Sequence, residues 1–382
     1  MKTKHFFTML LTAGIFTVAY SQTHILGSNA TSVGLNAGVM GSTGSTFFGY
    51  YAGKSTISTN NTFIGANSGY SNTSGTRNTF IGENAGYNSN GSLNVFVGGS
   101  AGLANTSGYQ NVFVGGYGVG LSNTSGYQNV FIGTSAGGGN TTGSYNTYIG
   151  QATATGYAST GSYNVALGYG AGSNNNGSNN VFIGKNAGSI YGGGPGFSGT
   201  TYSDQLFIDN SSTQTPLIRG DFAANTLVFN GRVGITNEAL ADQANLFPTT
   251  AGGVNVNSYQ LFVKGGILTE EIRVNLKSPS NWADYVFEEN YTLLSLEEVE
   301  CFIQENGHLP NVPSAETLSR DGLNLSEIAK IQQEKIEELT LYIIEQNKRL
   351  KVQEEKLNQL AQQQKEIDEL KAFVSELKNK EK

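Results

Sequence analysis

The chain has 382 residues, 51 of them glycine, with only 13% Asp, Glu, Lys and Arg and a formal net charge of −7. That is about half the roughly 25% charged content of an average soluble domain, and the acidic balance leaves no basic footprint for nucleic acid. A single cysteine, Cys301, excludes an intrachain disulfide framework.

The first residues read as an export signal. Lys2 and Lys4 precede an apolar stretch from Phe6 to Val18, and Ala19-Tyr20-Ser21 fits the small-x-small cleavage rule. The expectation is a signal peptide over 1–21 and a secreted chain, extracellular or at the cell surface, starting near Gln22. The apolar run is shorter than the ~20 residues a bilayer helix needs, and no later stretch supplies one. No membrane span is therefore expected after signal removal.

From 22 to 200 the chain repeats. Asn61-Thr62-Phe63-Ile64-Gly65 returns at Asn78, Asn94, Asn111, Asn129, Asn146, Asn164 and Asn180, with Ser45-Thr46-Phe47-Phe48-Gly49 as an earlier degenerate copy. Starts fall about 17 residues apart, and a small pair such as Ala85-Gly86 or Ala136-Gly137 usually follows three residues after the glycine. Each copy is a short β-prone run bounded by turn residues. A unit this small buries no core alone, so copies must stack. At ~4.8 Å per strand, the spacing predicts a β-solenoid roughly 40 Å long, with ladders of asparagine and phenylalanine. Side chains alternate faces, so Phe113 points opposite to Val112 and Val114. One apolar face fills the coil, and the other needs a second sheet or another copy of the chain. Self-association is the favoured answer.

Tyr109, Tyr127, Tyr145 and Tyr163 recur every 18 residues, just ahead of the strand. They should line one edge. Stacking that stabilises the rod is the plain reading; an adhesive row that stacks on sugars or a protein partner is the sharper one.

Residues 201–276 carry irregular β-signals, Leu206-Phe207-Ile208, Thr226-Leu227-Val228-Phe229 and Gln260-Leu261-Phe262-Val263, and are expected to form a β-rich neck. A small α-rich segment, 277–323, follows. Ser295 and Glu298 form a capping box, Val299, Phe302 and Ile303 give that helix an apolar face, and Asn306-Gly307 ends it. Ser314 starts a second short helix that stops near Gly322. From 324 to 382 the pattern is a coiled coil. Ile336, Leu339, Ile343, Leu350, Leu357 and Leu360 hold a heptad, and Ile367, Leu370, Val374 and Leu377 continue it after a three-residue skip. A helix of about 57 residues is a rod of roughly 85 Å and needs partner strands. The heptad leaves two or three strands open.

The run Asn164-Val165-Ala166-Leu167-Gly168-Tyr169-Gly170-Ala171-Gly172 resembles the β-roll head repeat of trimeric autotransporter adhesins. The Phe-rich copies depart from that pattern and the period is longer. The whole layout resembles secreted, tail-fibre-like repeat proteins of Bacteroidota. These resemblances imply a homotrimeric, adhesin-like structural fibre with a glycan or protein ligand at the cell surface. The alternative is a fibre assembly and trimerisation device, with 277–323 as a chaperone-type segment open to self-processing. Trimeric autotransporters end in a membrane barrel, whereas this sequence ends on a helix.

Little chemistry is written in the chain, and neither an enzyme nor a cofactor is expected. Its histidines are His5, His24 and His308, too few and scattered for a zinc site. Gly116-Tyr117-Gly118-Val119-Gly120 opens no helix and reads as a turn rather than a phosphate loop. Ser314, His308 and Asp284 lack a nucleophile-elbow context. Arg219-Gly220-Asp221 reads as a turn after Pro216-Leu217-Ile218, and Asn72 and Asn105 as turn residues rather than glycan acceptors.

Overall fold

The computed structural model describes residues 23–24, 29–40, 42–156, 158–190, 201–236, 247–251, 253–275, 278 and 282–380. The expected signal peptide lies outside the described residues. The chain divides at Gly231/Arg232 into two compact units.

The first unit is a β-solenoid. Its strands are β1 (Thr23–His24), β2 (Thr31–Val33), β3 (Thr46–Phe48), β4 (Thr62–Ile64), β5 (Thr79–Ile81), β6 (Val95–Gly99) and β7 (Val112–Tyr117). They continue as β8 (Val130–Ile132), β9 (Thr147–Ile149), β10 (Val165–Leu167), β11 (Val181–Ile183), β12 (Gln205–Ile208), β13 (Ile218–Asp221) and β14 (Thr226–Phe229). All join one 14-stranded sheet in chain order. From β2 to β12 each neighbouring pair is parallel, with Phe63 opposite Phe80 and Phe113 opposite Phe131. A parallel pair needs a crossover of a dozen or so residues, and here turns rather than helices supply it.

Alternation sends the middle residue of each strand inward. Phe47, Phe63, Phe80, Phe96, Phe113, Phe131 and Phe182 are at most 1% exposed. From Phe63 to Tyr148 the rings stack with centroids 4.7–4.8 Å apart and planes within 10°, the spacing of the strands themselves. Ala166 takes the inward position of β10 and leaves no ring there.

Two glycine marks per coil have separate causes. Gly82 has φ 134°, and a Cβ on it would lie 2.5 Å from the carbonyl oxygen of Gly98 in the next coil. Gly86 has φ 58°, and its Cβ would lie 2.5 Å from the Phe80 ring. The first lets coils stack backbone to backbone, and the second lets the turn close over the aromatic core.

The asparagine ladder forms, but chiefly through the backbone. Each buried asparagine side-chain oxygen accepts the N–H of the asparagine one coil on, at 2.9–3.0 Å from Asn61 to Asn180. Its amide donates to a glycine carbonyl across the coil, as Asn111 does to Gly126 at 2.8 Å.

The sheet extends beyond the motif copies at both ends. β2 adds a coil with Ser32 opposite Phe47. Past residue 200, Leu206-Phe207-Ile208 pairs parallel and in register with β11, so this part of the expected neck is a further rung. The asparagine ladder holds it there: the Gln205 N–H donates to the Asn180 side chain at 3.0 Å. Antiparallel strands then close each end, β1 on β2 and β13 and β14 after β12.

In the second unit β15 (Val233–Ile235) pairs parallel with β18 (Leu261–Val263), and β16 (Thr250–Ala251) antiparallel with β17 (Val254–Asn255). A 3-10 turn, Ala283–Phe287, buries Ala283 and Val286. The helices among the described residues are α1 (Leu296–Asn306), α2 (Ala315–Asp321) and α3 (Leu325–Lys380). Their ends are as the sequence spells them. Ser295 and Glu298 exchange both capping-box bonds and Gly307 is left-handed. Ser314 caps α2, and the Asn324 side chain accepts from the N–H of Ser326 at 3.1 Å.

Candidate interaction surfaces

The four tyrosines of the 18-residue series are brought together on the solenoid. Tyr109 stacks on Tyr127 and Tyr145 on Tyr163, each pair 4.8 Å between centroids. Tyr127 meets Tyr145 edge-on, at 5.3 Å and 74°. The break has a covalent origin. Tyr109 and Tyr127 stand two residues before the ladder asparagine, but Tyr145 and Tyr163 stand directly before it. These last two occupy the left-handed position, φ 60° and 61°, that Gln110 and Gln128 fill in the coils before. Sugar stacking needs an open ring face, and within each pair the facing surfaces cover one another.

A second aromatic group follows the small-Gly pairs, with Lys54, Tyr70 and Tyr87 at equivalent positions of successive coils. Lys54 Nζ lies 4.6 Å above the Tyr51 ring and 4.9 Å above that of Tyr70, and donates to the Tyr70 hydroxyl at 2.8 Å. Tyr70 stacks on Tyr87 at 4.9 Å. The Tyr70 hydroxyl bond raises the Lys54 ammonium above its usual pKa. One cation over two rings, with a third stacked behind, fixes this corner of the rod. A sequence signal existed only in the recurrence of tyrosine after Ser68-Gly69 and Ala85-Gly86.

The outward face of the parallel sheet is a column of Ile64, Ile81, Ile132, Ile149 and Ile183, exposed in the single chain. Beside it run Thr62, Thr79, Val95, Val112 and Val130, half-buried.

The heptad residues Ile336, Leu339, Ile343, Leu350, Leu357, Leu360, Ile367, Leu370, Val374 and Leu377 all lie on α3 and are 45–65% exposed. Every residue from Ile343 to Leu377 is exposed. Only the start of α3 is covered by its own chain. There Tyr285 bonds to Glu334, Tyr291 to Glu338, and the Tyr342 hydroxyl donates to the Leu294 carbonyl at 2.7 Å. Lys335 pairs with Glu334 at 2.9 Å and Glu338 at 2.8 Å. Between this segment and α3 lies an apolar groove of about 630 Å³ that includes Ile336 and Leu339.

The remaining motifs resolve into structure. Arg219-Gly220-Asp221 is strand β13 rather than a turn: Gly220 is buried and Arg219 reaches Gln205 at 3.3 Å. Gly118 and Gly120 are left-handed turn residues, with no helix after them. Asn72 and Asn105 are fully buried, which removes them as glycan acceptors. Asn105, Asn123 and Asn140 form a second ladder with side-chain bonds of 2.8 Å. Ser314 serves as a helix cap and the His308 ring packs on Phe302; among the described residues no hydrogen bond joins either to Asp284. Among the described residues no group of three His, Cys, Asp or Glu could hold a metal, and no helix is long and apolar enough to cross a membrane.

No protein-family model, curated protein or solved structure matches the chain. The fold itself defines the class, a β-solenoid repeat protein. It carries a long C-terminal helix with an uncovered apolar seam.

Proposed function

We propose that the chain is a non-enzymatic extracellular fibre protein of adhesin-like type, in which the solenoid presents a repetitive face and α3 holds copies together as a parallel coiled coil. The observation that carries this reading is the seam of α3. Ten apolar residues at heptad spacing are exposed over a 56-residue helix, and most helical stability in proteins comes from packing such a face. The near absence of charge on the solenoid and its exposed isoleucine column point the same way, towards sister chains as cover. A homotrimer is the assembly proposed, on the likeness of the Asn164–Gly172 repeat to trimeric adhesin heads. Its ligand class is a glycan or protein of a neighbouring cell surface. The test is the solution mass of the secreted protein by light scattering: three times the 40.5 kDa chain, less any cleaved signal, is expected, and a stable monomer would overturn the reading.

A second reading, an assembly device, draws on the packing of residues 282–310 against the start of α3. A segment that folds onto the first turns of a coiled-coil helix is placed to start it, and so to nucleate the fibre, with self-processing as a later step. Truncation at Asp321 tests this second reading. A solenoid that still assembles without α3 ends the nucleation reading.

A further inference from the structure

The groove beside α3 and the exposed face of α1 have one explanation in common. We propose that this groove is the socket for the α3 helix of a second copy of the chain, so that residues 291–310 form part of the chain-to-chain interface and set where the coiled coil begins. The proposal rests on the reading of α3 as an oligomerisation helix.

Three observations fix the occupant. The floor of the groove is Ile336 and Leu339, the first two positions of the heptad that continues through Ile343 to Leu377. A helix laid along that seam in parallel therefore runs into the groove without a change of direction, and knobs-into-holes packing puts its own Ile336 and Leu339 there. The wall is apolar and unpartnered as well. α1 is an 11-residue helix with no buried residue, and Leu296 and Leu309, both groove-lining, are exposed. Val299 and Phe302 are only half-buried, and an amphipathic helix left this open in its own chain obtains the rest of its packing from elsewhere. Finally, the wall is fixed in place before any partner arrives, by the Tyr291–Glu338 and Tyr342–Leu294 bonds. A preformed socket lowers the ordering cost of association.

Leu296, Val299 and Leu309 thus contact the neighbouring chain rather than their own helix alone. Register follows from this arrangement. Slipping the coiled coil by one heptad would replace the Ile336 and Leu339 pair in the socket by Ile343 with Gln346, or by Ala329 with Gln332, and set a glutamine against the apolar wall.

The experiment uses the full-length chain with Cys301→Ser as background. Chains carrying Leu296→Cys and chains carrying Leu339→Cys are refolded together and oxidised. A disulfide-linked pair of chains is expected, whose yield collapses when the next seam contact is broken by Ile343→Asp. In parallel, Leu296→Asp with Leu309→Asp, both at exposed positions, should weaken association by roughly tenfold or more while circular dichroism shows unchanged helix and sheet. An oligomer that forms no cross-link and associates equally well with the Asp pair overturns the socket but leaves the coiled coil standing. A monomeric parent chain overturns both. The conservative Leu296→Met restores association if the wall acts by apolar contact.

Discussion

The ring of Tyr127 stands at 74° to that of Tyr145, whereas its other neighbour in the row, Tyr109, lies parallel to it. The 18-residue interval is constant, but the coil between Asn129 and Asn146 is one residue shorter than the two that flank it. An even spacing in sequence thus becomes an offset in space, and four rings become two stacked pairs meeting at a corner.

Stacked pairs stabilise the rod. Replacing Tyr109, Tyr127, Tyr145 and Tyr163 together by serine should remove about 0.5–1.5 kcal/mol for each stacked pair, read as a lower thermal midpoint. The cell-surface binding proposed for the protein should survive. Lost binding at an unchanged midpoint would instead make the row the adhesive site.

Asn111→Ala tests the ladder. The Asn111 side chain accepts from the Asn129 N–H of the next coil at 3.0 Å and donates across its own coil to the Gly126 carbonyl at 2.8 Å. Removing it leaves the buried Asn129 N–H without a partner, at about 1–3 kcal/mol, whereas the Gly126 carbonyl keeps the Asn123 amide at 3.0 Å. Denaturant unfolding should show a loss of that order. A change below about 0.5 kcal/mol, the usual surface effect, would mean that water replaces the bonds.

Gly86→Ala puts a methyl group into the Phe80 ring and an L-residue at φ 58°. The backbone alone costs roughly 1–2 kcal/mol, and moving a stacked ring adds to that. Gly266→Ala, where nothing lies within 4 Å, should be neutral in the same assay. Equal effects at the two sites would refute the packing account of the Ala-Gly mark.

Within the second unit, the packing of Tyr285 and Tyr291 on α3 should have a pH window. Burial, then the bond to Glu334 and that carboxylate's charge, push Tyr285 up to about 12, and Tyr291 is raised by burial and Glu338. A folded-state value above the unfolded ~10 means that the contribution is intact below about pH 10 and fades as pH climbs through the folded values. On the acid side, burial pushes Glu334 up, but Tyr285 and Lys335 outweigh it and its carboxyl sits below the ordinary range. That contribution is present above roughly pH 4.3 and is lost as pH falls through the lowered value. Phenolate absorbance should lose two late-titrating tyrosines in the Tyr285→Phe, Tyr291→Phe variant, while the buried Tyr148, also raised by burial, stays late. A titration unchanged by that variant would refute the assignment.

The repeated strand was legible because each of its residues answers one demand: Asn to the ladder, Phe to the core, Gly to the close approach. Copies that lack the ladder asparagine were not, Ala30 standing there before β2 and Gln205 at the start of β12. Ser32 fills the inward position of β2, so no aromatic marks that coil. Phe207 follows Phe182 by 25 residues rather than 17 or so, and the longer crossover hid the rung. The buried Asn105, Asn123 and Asn140 look like turn residues singly. Their constant offset of six residues before Asn111, Asn129 and Asn146 was the available signal. Helix caps are legible because Ser295, Ser314 and Asn324 act within one turn of themselves. The groove at Ile336 is not, since it depends on the fold-back of a segment some 40 residues earlier, which no local pattern encodes.

The antiparallel strands that shut both ends of the solenoid have a bearing on how such a molecule changes over generations. Every internal layer meets only the one before and the one after it, and the terminators never touch the middle. Whole layers can therefore be duplicated or deleted without redesigning either terminus, each adding or removing ~4.8 Å of reach. Length behaves as a heritable setting, adjusted in fixed steps.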